Sequence, residues 1–148
     1  MKRHQLSALC ITAALPLVLC AAATAAGASE IKGAAILDHP CGKTAVKQMG
    51  LVHAGNMDEA NKLSTKEMQE QWKTMPAKDR TMMSGMMKEM SSTEQQYSND
   101  IKANGVLAVD GQAATLTVKK TTKDANGTMT STMTQNFKLD GGQCLISR

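Results

Sequence analysis

The spacing of apolar and polar positions changes once along this chain, near Ser91. Before that point apolar residues recur every three or four positions; after it they alternate. Cys41, Ala45, Met49 and Val52 fall at helical spacing and share one face, with Asp38 and Pro40 as helix-start residues and Gly55 as a stop. Asn56 followed by Glu59 is a capping-box variant, and Ser64 followed by Glu67 is a full one, so a short helix is expected at each. In the second of these, Met68, Trp72 and Met75 form an apolar stripe, and Pro76 ends it or opens the next helix. From Ala77 to Met90 a further helix carries Met82, Met83, Met86, Met87 and Met90. Gly85 interrupts it, at about 1 kcal/mol relative to alanine in a helix interior.

Beyond Ser91 the texture is that of strands. Asn104-Gly105, Asp110-Gly111, Asn126-Gly127 and Asp140-Gly141-Gly142 are spaced turn signals. Ala114, Leu116 and Val118 alternate with polar neighbours, and Met129, Met133, Phe137 and Leu139 fall on one face of a threonine-rich run. Period-two runs joined by such turns predict an antiparallel meander. Helices first and a meander after predict an α+β domain, with N-terminal helices packed on one face of a curved antiparallel sheet.

The first 28 residues read as a secretory signal peptide: a basic start at Lys2, Arg3 and His4, an apolar run over residues 6–19, then small residues with Ala-x-Ala sites. The organisation expected is a signal peptide over 1–28, a flexible N-terminus over 29–38 and one α+β domain over 39–148. The apolar run is too short to span a membrane, and no transmembrane segment is expected once the leader is cleaved. The expected location is periplasmic or secreted. Leu17-Val18-Leu19-Cys20 resembles a lipoprotein box, but the residue before the cysteine is normally small, so lipidation at Cys20 ranks below ordinary cleavage.

An exported domain of about 120 residues supports one small core. The net charge of +4 falls to about +2 when Lys2 and Arg3 leave with the leader, too little to argue for nucleic acid or an anionic surface. Only Trp72, Tyr97 and Phe137 are aromatic, against 12 methionines, so aliphatic residues and methionine must fill the interior. Cys10 and Cys20 belong to the leader. The remaining pair, Cys41 and Cys144, is expected to form a disulfide in an oxidising compartment.

Two stretches carry a resemblance. Ala54-Gly55-Asn56-Met57-Asp58-Glu59-Ala60 closes the first helix, and Asn136-Phe137-Lys138-Leu139-Asp140-Gly141-Gly142-Gln143-Cys144-Leu145-Ile146 forms a closing hairpin. In these the chain resembles small exported bacterial proteins of the nuclear transport factor 2-like superfamily, which have a cystatin-like α+β fold. Cys144 stands where that hairpin usually carries tryptophan, a departure that fits a bridge from Cys144 to Cys41 on a helix lying across the sheet. The resemblance implies a cone-shaped cavity and no fixed chemistry, so function cannot be inherited from it.

Candidate chemistry is sparse. His39-Pro40-Cys41 places an imidazole near a thiol, but pairing with Cys144 removes the nucleophile. Gly42-Lys43-Thr44 looks like the end of a phosphate loop, yet Leu37 occupies the position where that loop needs glycine. No HExxH or GxSxG motif is present, and no enzyme is expected. The leading expectation is a non-enzymatic binding or interaction module of the cell envelope. Its apolar groove would be lined by Trp72, Met82, Met86, Met90, Met133 and Phe137 and would take a small apolar ligand or an envelope protein. No cofactor is expected on that reading. The alternative is Cu(I) bound by Met82, Met83, Met86, Met87 and Met90, because thioethers are soft ligands. A third reading is an envelope stress or toxin-neutralising factor.

Overall fold

The computed structural model describes residues 28–124 and 127–148. The signal peptide, the Cys20 box and the Asn126-Gly127 turn therefore lie wholly or partly outside the described residues.

The chain is α+β, with helices leading into one five-stranded antiparallel sheet whose strand order follows the sequence. It opens with β1 (Ser29–Lys32), a 3-10 turn (Gly33–Asp38) and α1 (Pro40–His53). Three helices follow, α2 (Met57–Asn61), α3 (Lys66–Thr74) and α4 (Ala77–Met90), and then α5 (Glu94–Asn104). The sheet is completed by β2 (Gly105–Asp110), β3 (Ala113–Asp124), β4 (Gly127–Asp140) and β5 (Gln143–Ser147).

The registers explain why one sheet face is buried. Leu107 lies opposite Leu116, Ala114 opposite Phe137, and Phe137 opposite Ile146, so the alternating apolar positions of four strands add into one surface. Helix α1 and helix α5 cover that surface, contributing Cys41 and Ala45 from the first and Tyr97 and Ile101 from the second. The Asp140-Gly141-Gly142 signal is a tight hairpin whose two glycines both have positive φ, 55° and 81°. The expected disulfide joins Cys41 to Cys144 and ties the first turn of α1 to β5, with Cα atoms 4.9 Å apart. Gly42, read above as no phosphate loop, is a packing residue. A Cβ there would overlap the Ile36 carbonyl, so α1 can approach the 3-10 turn only with glycine at this place.

Three expectations need correction. Residues 29–38 are built into the fold: β1 pairs with β2, with Ile31 opposite Leu107, and Ile36 is fully buried. Apolar residues in a short polar stretch supply the burial that orders it. The meander does not begin at Ser91, because α5 intervenes. Thr93 and Gln96 cap one another's backbone N–H groups, and Tyr97 and Ile101, one turn apart, are buried. Asn104-Gly105 is consequently a helix-to-strand junction rather than a hairpin turn.

The helix α3 also starts one residue later than the Ser64 box implies. Ile146 donates its N–H to the Leu63 carbonyl, and Thr65 donates to the Ile146 carbonyl, which draws the buried Ser64 against β5. Thr65 becomes the N-cap. Glu67 then accepts from its own backbone N–H and from the Thr65 hydroxyl, and both bonds hold its carboxyl below the usual range.

Candidate functional site

The distinguishing element is α4. Pro76 precedes its first turn, where a missing N–H costs nothing, and the segment is otherwise built of residues that tolerate helix. Neither α3 nor α4 has a buried residue. The two helices lie on the outside of α1 and α2, and methionine side chains line what is left between.

Two clefts result. One, of about 320 Å³, is walled by Gln48, Met49 and Val52 of α1, Met87 and Met90 of α4, and Met133 to Gln135 of β4. The other, of about 260 Å³, lies among α1, α2, α3 and α4 and is lined by Met57, Met68, Trp72, Met75, Met83 and Met87 among others. Gln48 and Met87 belong to both walls, so the two clefts adjoin and together make up a methionine-lined trough. Eight methionines line it in all.

Polar contacts pin its frame. Gln135 Nε2 donates to the side-chain oxygen Oε1 of Gln48, joining β4 to α1. The Ser92 N–H points at the Met49 Sδ, 3.5 Å away. His53 Nδ1 and Ser91 Oγ are 3.3 Å apart, tying the end of α1 to the end of α4. Trp72 Nε1 donates to Asp58 Oδ1 at 2.7 Å, so the indole is anchored to α2 while its ring faces the trough.

A third cleft, of about 430 Å³, opens under the β3–β4 ribbon. Met90 and Met133 line it together with Tyr97, Asp100, Val118 and Lys120. Tyr97 is only 2% exposed, and its hydroxyl finds no hydrogen-bond partner among the described residues. Burial, reinforced by the nearby Asp100 carboxylate, pushes its pKa up to about 12.

The residues expected in the groove divide three ways. Met90 and Met133 do meet in the first cleft, and Trp72 lines the second. Phe137 is not a lining residue: its register places it between Ala114 and Ile146 in the core, 2% exposed. Met82 and Met86, 61% and 57% exposed, stand on the neighbouring flank of α4 and line neither cleft of the trough. The stripe of α4 turned towards the clefts is Met83 and Met87, 39% and 38% exposed, with Met90 at the rim, 79% exposed. Sequence spacing alone finds both stripes and does not say which is inside. Met49, Val52 and Gln48 were missed as lining because α1 reads as core; they sit at the margin of its buried face.

Among the described residues no group of three His, Cys, Asp or Glu side chains converges. No described helix is long and apolar enough to cross a membrane. No protein-family model, curated protein or solved structure matches the chain.

Proposed function

We propose that this chain is an exported, non-enzymatic binding module of the cell envelope. Its methionine trough receives a small apolar ligand or an apolar segment of an envelope protein. The arrangement of α1 and α5 across a one-sided sheet is compatible with a cystatin-like domain, in which such a hollow sits beside the sheet. One observation carries the reading: eight methionines from α1, α2, α3 and its C-cap, α4 and β4 line two adjoining clefts between elements that share little buried surface. Methionine is unbranched and polarizable, so a wall built from it re-packs around differently shaped apolar guests at little rotamer cost.

The test is a titration of protein labelled with ¹³C at the methionine methyls, using N-phenyl-1-naphthylamine as an apolar probe. Saturable dye fluorescence with shifts at Met49, Met87 and Met133 is expected. Met87→Glu places a charge on the wall shared by both clefts and should lower dye affinity at least tenfold. Met129→Glu, on the exposed ribbon, should leave it unchanged. Non-saturable fluorescence, or equal effects of the two substitutions, would refute the reading.

A further inference from the structure

We infer that the first cleft of the trough is a thioether site for Cu(I), held by Met49, Met87, Met90 and Met133. The inference rests on the trough being a binding site and names a ligand for it.

The starting observation concerns which side chains stand exposed. Every exposed large hydrophobic side chain among the described residues is a methionine; no Leu, Ile, Val, Phe or Trp is among them. Leucine would match methionine in helix propensity and apolar area, so what sets methionine apart is its flexibility and its thioether. What methionine adds is sulfur, a soft neutral donor that favours Cu(I) over the harder divalent ions.

The fold then brings donors together from three elements. Met49 comes from α1, Met87 and Met90 from one face of α4, and Met133 from the inward face of β4, all around one space of about 320 Å³. Residues 87 and 90 are three apart on a helix and so are neighbours on its surface. Met49 Sδ is already oriented by the Ser92 N–H, which occupies one sulfur lone pair and leaves the other. Met87 and Met133 are 38% and 42% exposed, open to an incoming ion and backed by Val52 and the Gln48–Gln135 bridge, while Met90, 79% exposed, would close over the ion from the rim. The residues lining this cleft include no His, Cys, Asp or Glu, so its soft donors are the four thioether sulfurs, with neutral amide and hydroxyl groups beside them.

That donor set has a chemical signature. Thiolate and imidazole ligands must lose protons before they bind, so their metal affinity rises with pH. A thioether carries no proton, so affinity for Cu(I) should be flat between pH 5.5 and 8.

The experiment uses the full exported chain with its disulfide intact. Cu(I) is titrated anaerobically in competition with bicinchoninate, with ascorbate as a thiol-free reductant, and naphthylamine binding is followed in the same samples. One Cu(I) per chain and a pH-independent affinity are expected. Met49→Leu with Met133→Leu, which preserves apolar volume, should weaken Cu(I) binding at least tenfold, a far larger loss than any in dye affinity. Met82→Leu with Met86→Leu should change neither. Failure to compete with bicinchoninate, or loss of Cu(I) on changing Met82 and Met86 instead, overturns the site. If dye still binds in that case, the trough stands and only its metal falls; if neither binds, both readings fall.

Discussion

Tyr97 shows what a single atom contributes to this core. Its ring fills space between α5 and the sheet, but its hydroxyl is desolvated without a described partner. A buried donor left unsatisfied costs about 1–3 kcal/mol, and replacing it with an apolar group of the same shape can be neutral or stabilising. Tyr97→Phe is therefore expected to raise unfolding free energy by about 1 kcal/mol, read as a higher urea midpoint with an unchanged slope. The same burial fixes a pH dependence. Burial pushes the folded-state pKa up to about 12 from the ordinary 10.0, so above pH 10 the unfolded chain loses this proton before the folded one does. The unfolded state then binds fewer protons, and stability falls as pH rises from 10 towards 12, by roughly 2–3 kcal/mol in all. Below pH 10 the group contributes no slope. Urea denaturation between pH 9 and 12 measures this, and Tyr97→Phe should flatten the decline; an equal decline in both proteins would refute the assignment.

At the level of elements, α4 and α5 form an instructive pair. Helix α4 was legible down to its ends, Ala77 and Met90, because proline marks its entry and the methionines keep helical spacing. Helix α5 was not, although Thr93-x-x-Gln96 ahead of Tyr97 and Ile101 is as clear a signature as any in the chain. The Asn104-Gly105 pair drew the reading towards a hairpin. That glycine is needed for another reason: a Cβ at Gly105 would lie 2.6 Å from the Ile101 carbonyl oxygen, where the strand leaves the helix closely. The inward face of β3 was read correctly, since strict alternation has only one solution once one sheet face is buried. The trough was half legible. Met90, Met133 and Trp72 line it, but which flank of α4 turns inward depends on how the helix rolls against α1, and no local pattern encodes that. Gly85 offers a direct test of α4 itself. It stands in open space, with nothing within 4 Å of a Cβ, and its φ is not positive. Gly85→Ala should stabilise the helix by about 0.5–1 kcal/mol without touching the trough. Unchanged or lower stability, read by circular dichroism during urea denaturation, would refute this.

Across the whole molecule, the covalent tie and the outer helices act on different parts of the energy landscape. The Cys41–Cys144 bond spans a sequence separation of 103 and joins α1 to β5 across the core, so it restricts the unfolded chain strongly. The chain-entropy model gives about 4–5 kcal/mol for a loop of this length, as an upper figure. Helices α3 and α4 lie inside that loop, yet neither buries a residue, so little free energy opposes their opening from the body. Two separate levels of protection follow. Amides of α3 and α4 are expected to exchange by local opening, at a rate indifferent to the disulfide. Amides of α1, α5 and the paired stretches of β2, β3 and β5 are expected to exchange only through global unfolding. Changing both Cys41 and Cys144 to alanine should then lower the protection of the second set by up to about 4 kcal/mol and leave the first set where it was. Hydrogen exchange read by mass spectrometry on the two proteins decides the matter. Equal losses in α4 and α1 would show a single cooperative unit. Loss confined to the disulfide-tied body would instead leave α3 and α4 as a loosely held flap that can move aside while the core stays folded.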